Sequence, residues 1–324
     1  MSEIVRASAW GLVPASVLLL AACGGDSRLR ENPEFSDAAR YSFASFESEE
    51  EADLAFAVRQ LEREVYLAVD VEASSPGARG LVAAALSDAD VADFDTLPST
   101  YPDGFPGAGE PISPDAAQPV AVAGLSAYPP SNHSSYLVLP DQTATEPGSA
   151  SHYDRVFLDA SDQCWPERNC DFLRTANNLT KDNFLLTITY DLFKDYRWVD
   201  LNLPDPGSVE EGEPISNEGS PRWAFVARSW NPEVALGTAG NNAIYQSYSV
   251  EVWIPRDGEG FVRDGSEQNA ADGNWEADST GGGSLRMLAL WAESNLGMDP
   301  VIASVVRNAI DDIFLAQEEW LDTQ

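Results

Sequence analysis

Two stretches near the end of the chain alternate apolar and polar residues, and a long amphipathic pattern follows them. In 244–254, Ile244, Gln246, Tyr248, Val250, Val252 and Ile254 fall on one side, because successive strand residues point to opposite faces. In 285–293, one side carries Leu285, Met287, Ala289, Trp291 and Glu293. Such alternation reads as half-buried strand, and a sheet with an apolar face needs a cover. The C-terminal pattern offers one. Asp299 is suited to cap a helix and Pro300 to open it. Ile302, Val305, Val306, Ala309, Ile310, Ile313, Phe314, Trp320 and Leu321 form a broad apolar stripe, with Arg307, Asp311, Glu318 and Glu319 opposite. The class that follows is α+β, a curved antiparallel sheet packed on a long C-terminal helix.

Other elements are marked less sharply. Residues 223–230 read as a strand, and Phe184, Leu186, Ile188 and Tyr190 alternate ahead of a run at 197–203. That pair reads as a hairpin turning at Asp191–Asp195. Residues 119–127, 135–139 and 155–158 are further strand candidates. Ser48-Glu49-Glu50-Glu51 has the form of a capping box, and Leu54, Val58, Leu61 and Val65 continue at helical spacing. Residues 65–73 alternate as a strand would, but the helix continuing through Ala68 fits as well. Residues 80–88 read as a short Ala-rich helix. Segments 95–118, 204–221 and 255–283 read as long loops.

The start of the chain carries an address. An uncharged stretch from Ala7 ends in Leu20-Ala21-Ala22-Cys23, followed by Gly24-Gly25-Asp26. The run is shorter than the roughly 20 apolar residues that span a bilayer and has the layout of a cleaved export signal. It resembles a bacterial lipoprotein signal, which implies that Cys23 becomes the lipidated first residue of the mature protein. Gly24 stands where an aspartate would favour the inner membrane in the sorting logic of such lipoproteins. The expected location is therefore the cell envelope, at the outer membrane and facing the periplasm. The expected division is a signal at 1–22, an acidic tether at 23–47 and one folded domain at 48–324.

Composition narrows the partners. With 53 acidic and 19 basic residues the chain carries a net charge of −34. Phosphate binding needs clustered Lys and Arg, so nucleic acid is not an expected partner; Lys181 and Lys194 are the only lysines. The expected partners are a membrane, through lipid on Cys23, and a hydrophobic ligand. Once Cys23 is set aside, Cys164 and Cys170 form an even pair in an exported chain and read as a short-loop disulfide.

The order of elements adds a family likeness. Val69-Asp70-Val71-Glu72-Ala73-Ser74-Ser75-Pro76, then Leu81-Val82-Ala83-Ala84-Ala85-Leu86-Ser87-Asp88, resembles the opening of START-like domains of the polyketide-cyclase and lipid-transfer superfamily. Trp291-Ala292-Glu293-Ser294-Asn295-Leu296-Gly297-Met298-Asp299-Pro300 and the helix after it resemble the close. The likeness covers about residue 65 to the C-terminus and implies a helix-grip fold, a curved sheet gripping the last helix over an apolar cavity. The Pro-rich segment after the early helix, the surplus strands and the long acidic loops depart from that pattern.

No sharp catalytic motif stands out. Gly124-Leu125-Ser126-Ala127-Tyr128 lacks the second glycine of a nucleophile elbow, so Ser126 reads as a strand residue. His133 and His152 lie in loop-like sequence and read as solvated. Asp272-Gly273-Asn274-Trp275-Glu276-Ala277-Asp278 half-meets the spacing of a calcium loop and reads as a solvated loop. No metal and no cofactor is expected. Arg228, Trp230, Tyr248, Val250, Met287, Trp291 and Glu293 are the expected pocket residues, with Arg228 and Glu293 as a possible buried ion pair or ligand anchors. The leading expectation is a tethered lipoprotein that binds a hydrophobic small molecule or lipid between sheet and C-terminal helix. An enzyme of the same fold, and a structural or interaction lipoprotein with a filled core, are the alternatives.

Overall fold

Helical spacing of small and apolar residues starts earlier than the capping box. In the computed structural model, Phe35–Ala44 form α1 and Glu51–Ala68 form α2. The described residues are 35–48, 51–68, 79–81, 100–113, 116–149, 152–183, 186–204, 221–238, 242–256, 283–295 and 302–324. The signal, Cys23, residues 69–73, the 272–278 segment and most of the 204–221 and 255–283 loops lie outside them.

α1 corrects the expected tether from residue 35 onward. Ala38, Ala39 and Phe43 of the helix and Phe46 in the turn after it are buried with the core residues of the sheet, and such a set has no use in a solvated linker. α2 keeps its stripe, with Leu54, Val58, Leu61 and Val65 all buried, and runs through Ala68. Residues 80 and 81 of the helix expected at 80–88 belong to strand β1 (Arg79–Leu81), paired with the next strand, and 82–88 lie outside the described residues.

The remaining strands are β2 (Gln118–Ser126), β3 (His152–Phe157), β4 (Phe172–Asn183), β5 (Leu186–Asp200), β6 (Trp223–Trp230), β7 (Ala235–Leu236), β8 (Ala243–Pro255) and β9 (Ser284–Asn295). They form an open antiparallel sheet in the order β1-β2-β9-β8-β6-β5-β4-β3, with β7 pairing β8 off this path. Pro130–Leu137 form α3, and Ile302–Leu321 form α4 near the C-terminus. Among the described residues no helix is long and apolar enough to cross a membrane.

Two readings of the sequence are overturned here. Residues 135–139 belong mostly to α3, which Pro130 opens and which turns His133, Tyr136 and Leu137 inward. A short apolar run does not tell helix from strand. Asp191–Asp195 is not a turn, because β5 passes straight through it and pairs along its length with β4. Its acids are held in place: Asp195 binds Arg228, and Asp191 accepts from Asn178 Nδ2 at 2.7 Å.

Each face of the sheet has its own helical cover. Ala121, Ala123, Val226, Val250, Met287 and Trp291 look toward α1 and α2. Val120, Val122 and Leu288 pack under Ile310 and Phe314 of α4. Tyr136, Trp198, Phe225, Trp253 and Leu321 continue that second layer. The 100–113 segment is pinned to the sheet through Tyr101 and Phe105 against Tyr245. Gly283 lies so near β2 that a Cβ there would fall 1.7 Å from the Ser126 carbonyl oxygen, so only glycine fits.

Cys164 and Cys170 stand at disulfide distance, with Cα atoms 5.5 Å apart. The loop they close carries the buried Trp165, which stacks on Trp198 at 5.1 Å and accepts the Trp198 indole N–H at its carbonyl, 3.1 Å away. Replacing both cysteines with serine frees this loop in the unfolded chain and should cost about 2 kcal/mol, seen as a lower urea midpoint. Mass mapping without reductant should find one linked peptide pair in the wild type; free thiols at both positions refute the bridge.

Candidate functional site

The expected pocket residues do share a face, but not the face under the C-terminal helix. Trp230, Tyr248, Val250, Met287 and Trp291 are buried beneath α1 and α2. Phe43 of α1 meets Tyr248 and Trp230 edge-on, with ring centroids 5.9 and 6.3 Å apart. Tyr248 stacks flat on Trp291 at 5.1 Å, and the Arg40 guanidinium lies 5.8 Å from the Trp291 ring. The aromatic side chains that were expected to line a cavity are therefore packed by the chain's own first helix.

Arg228 and Glu293 do not pair. Arg228 donates to Asp195 Oδ2 through Nε and Nη2 at 3.2 and 3.0 Å, donates to Glu47, and lies 4.7 Å from the Phe46 ring. It fastens the end of α1 to the sheet. Burial raises the Asp195 carboxyl above its ordinary range against the pull of Arg228. Glu293 accepts from Tyr101 Oη at 2.5 Å and from Gln246 Nε2 at 2.8 Å, which anchors the 100–113 segment. Burial and this carboxylate push the Tyr101 phenol up to about 12.

The polar chemistry gathers on the opposite face, beneath α3 and α4. Arg286 of β9 is buried there, with its guanidinium 4.1 Å from the Phe314 ring and 5.5 Å from the Trp253 ring. It donates to Gln317 Oε1 of α4 and lies 3.4 Å from Glu251 Oε1 and 3.9 Å from Glu318 Oε1. Tyr136 Oη donates to the same Gln317 oxygen at 3.0 Å. His133 is fully buried, which corrects its reading as a solvated loop residue. Its Nδ1 is 3.1 Å from Tyr136 Oη, and its Nε2 is 2.7 Å from Ser126 Oγ.

Burial sets the charge states of this cluster. It drives His133 well below its ordinary value, with the Arg286 charge helping and the Tyr128 carbonyl opposing. The ring is neutral at pH 7. Burial pushes the Glu251 carboxyl up to about 7, even though Lys194 and Arg286 favour its ionised form. The Tyr136 phenol is pushed far up by the same desolvation.

The chain's two lysines meet at one carboxylate on this side. Lys194 Nζ is 2.7 Å and Lys181 Nζ 4.0 Å from Glu146. Burial works to raise the Glu146 carboxyl, but the two ammonium groups outweigh it and hold the group below its ordinary value. Neither this cluster nor the link from Ser126 to Arg286 was found by sequence reasoning. Their members are scattered between residues 126 and 318, and the only local signal was Gly124-Leu125-Ser126, set aside because the second glycine of the elbow is missing and both histidines read as solvated.

No protein-family model matches the chain, and no curated protein and no solved structure matches it either.

The state of Glu251 has a measurable consequence. An unfolded glutamate gives up its proton near 4.5, while folded Glu251 holds it to about 7. Between those values the folded chain binds more protons, so stability falls as pH rises. Glu251→Gln cannot ionise. Relative to wild type it should gain stability across that window, by on the order of 3 kcal/mol when complete. Urea midpoints from pH 4.5 to 8 check this, and a pH-independent difference between the two proteins refutes it. His133 acts in the opposite sense, losing stability as pH falls below its unfolded value near 6.5, but both proteins share it and it cancels.

Proposed function

We propose that the chain is an exported envelope lipoprotein, anchored through Cys23, that holds a closed, acidic body at the membrane surface and works on or with what reaches that surface. One observation carries this reading over lipid carriage: Phe43 of α1 and Phe46 just after it occupy the aromatic face that an apolar ligand would need. A START-like helix grip is retained as a proposal for the C-terminal half alone. It is supported by Ile310 and Phe314 of α4 packing on β2 and β9. Between that helix and the sheet the interior holds Arg286, Gln317 and Glu251 rather than an apolar cavity lining. The proposed seat is the outer membrane, facing the periplasm, and the 53 acidic residues keep nucleic acid away from the body.

Two measurements test the two halves of this reading. Native mass spectrometry of protein purified from its host should give the bare polypeptide with its anchor and no further lipid; a stoichiometric second lipid overturns the closed-body reading. Cys23→Ala should abolish lipid modification and release the protein from the membrane fraction. Unchanged processing and membrane association overturn the anchor. A second reading, an enzyme, is favoured by one observation, the hydrogen bond between Ser126 and His133.

A further inference from the structure

We propose that Ser126 is a nucleophile with His133 as its general base, in a site that transfers the acyl group of a neutral or cationic ester to water. The argument rests on the direction of a hydrogen-bond chain. Arg286 has only donors, and it gives an N–H to Gln317 Oε1, which identifies that atom as the amide oxygen. Tyr136 Oη gives its proton to the same oxygen at 3.0 Å. Its lone pairs then receive His133 Nδ1–H at 3.1 Å. With Nδ1 protonated, the neutral ring has a bare Nε2, and the group facing it at 2.7 Å is the Ser126 hydroxyl. The opposite tautomer would draw the Tyr136 proton away from Gln317. Ser126 Oγ also accepts the Tyr128 backbone N–H at 3.0 Å, which holds the oxygen while its own proton points to the ring. A base oriented by a third group and hydrogen-bonded to a hydroxyl is the arrangement that activates a serine.

A second observation lies beside the first. Arg286 is 1% exposed, yet its Nε and Nη1 make no hydrogen bond among the described residues. Nη1 is 3.9 Å from Glu318 Oε1, and that same oxygen is 3.9 Å from His133 Nε2. Arg286 thus places a buried positive charge one carboxylate oxygen away from the base, and a fixed positive charge near the reacting atoms favours a developing oxyanion.

The chemistry balances with water as the second reactant. Ser126 Oγ bonds to the ester carbonyl carbon as its proton passes to His133 Nε2. The carbon–alkoxy bond breaks, and the leaving alcohol takes that proton from Nε2, leaving acyl-Ser126. Water then gives a proton to Nε2 while its oxygen bonds to the acyl carbon. The bond to Oγ breaks, Oγ recovers the proton, and the acid departs.

Access is through the end of β2. Ser126 is buried, but Ala127 is exposed; its N–H reaches Glu318 Oε2 at 3.4 Å, and Tyr128 Oη donates to Asp322 Oδ1 at 2.5 Å. These two surface contacts close the site and must part for an ester to enter. Glu318 and Asp322 at the mouth disfavour an anionic substrate by like-charge repulsion.

A fluorophosphonate probe tests the assignment on the full chain. Intact mass should rise by one phosphonyl group, mapped to the peptide that carries Ser126, and Ser126→Ala should lose it. His133→Gln should slow labelling roughly a hundredfold or more. Tyr128→Phe, which removes the hydroxyl contact to Asp322 and retains the backbone N–H on Ser126 Oγ, should speed labelling severalfold and serves as the second variant if His133→Gln does not fold. Hydrolysis of p-nitrophenyl acetate should outpace that of the anionic p-nitrophenyl succinate. The nucleophile is overturned if neither wild type nor Tyr128→Phe gains an adduct at Ser126, or if folded His133→Gln labels at the wild-type rate. The substrate class is overturned if the two esters react equally. None of these outcomes bears on Cys23, so failure here is distinct from failure of the membrane anchor.

Discussion

Burial of the Arg286 guanidinium beneath α4 is the constraint around which the second face of the sheet is arranged. A charge removed from water must be paired or the fold loses several kcal/mol. Two elements supply partners: Glu251 from β8, and Gln317 and Glu318 from α4. The rings of Trp253 and Phe314 flank the guanidinium. Because Arg286 can only donate, it fixes which atom of Gln317 faces it. That choice propagates through Tyr136 to His133 and Ser126. An apolar residue at 286 would pack under α4 equally well but would leave this chain of hydrogen bonds without a direction.

The other face depends on cations in a different way. With 53 acids against 19 bases, the body has few positive groups available for fastening. Arginines are placed where α1 and α2 meet the sheet. Arg197 donates to the carbonyls of Phe46 and Ser48 at 2.7 and 2.9 Å. Arg59 reaches the carbonyls of Leu201 and Leu203, both at 2.8 Å. Arg222 grips Glu62 through both nitrogens, the geometry in which a guanidinium outperforms an ammonium. These clamps tie the end of β5 and the start of β6 to the helices, and they hold Phe43 and Phe46 over the aromatic strands. That cover is why an apolar face legible in the sequence is core rather than cavity.

Periodicity exposed the elements whose apolar residues repeat along one side, although β8, β9 and β6 turn out to be covered on both faces. β8, β9, β6, α2 and α4 were legible because Tyr248, Val250 and Val252, or Ile310 and Phe314, repeat at the spacing of their own element. β4 was not, because its inward side carries Thr175 and Asn177 between Leu173 and Leu179, and polar residues erase the alternation. α1 escaped notice because Phe-Ser-Asp-Ala-Ala-Arg-Tyr-Ser-Phe-Ala presents small residues to the sheet, and these carry little hydropathy. At the site level, the grouping of Trp230, Tyr248, Met287 and Trp291 on one face was legible from parity alone. Which helix covers that face was not, since parity says nothing about sides. His133 was misread for a related reason: its neighbours Ser131, Asn132, Ser134 and Ser135 are polar, and only the tertiary position of α3 buries it.

The order in which the buried groups titrate follows from their shared neighbour. Glu251 and His133 both lie within the field of Arg286, and desolvation acts on both, but with opposite results. A carboxyl is kept protonated higher than usual, and an imidazole is kept neutral lower than usual, because burial disfavours the charged form of each. As pH falls, Glu251 takes its proton first, near 7, and stops offsetting the Arg286 charge. Burial, with the Arg286 charge helping, keeps the histidine neutral over the range in which an exposed imidazole would already be charged. The Nε2 lone pair that faces Ser126 is preserved by the cluster as a whole, not by the histidine alone.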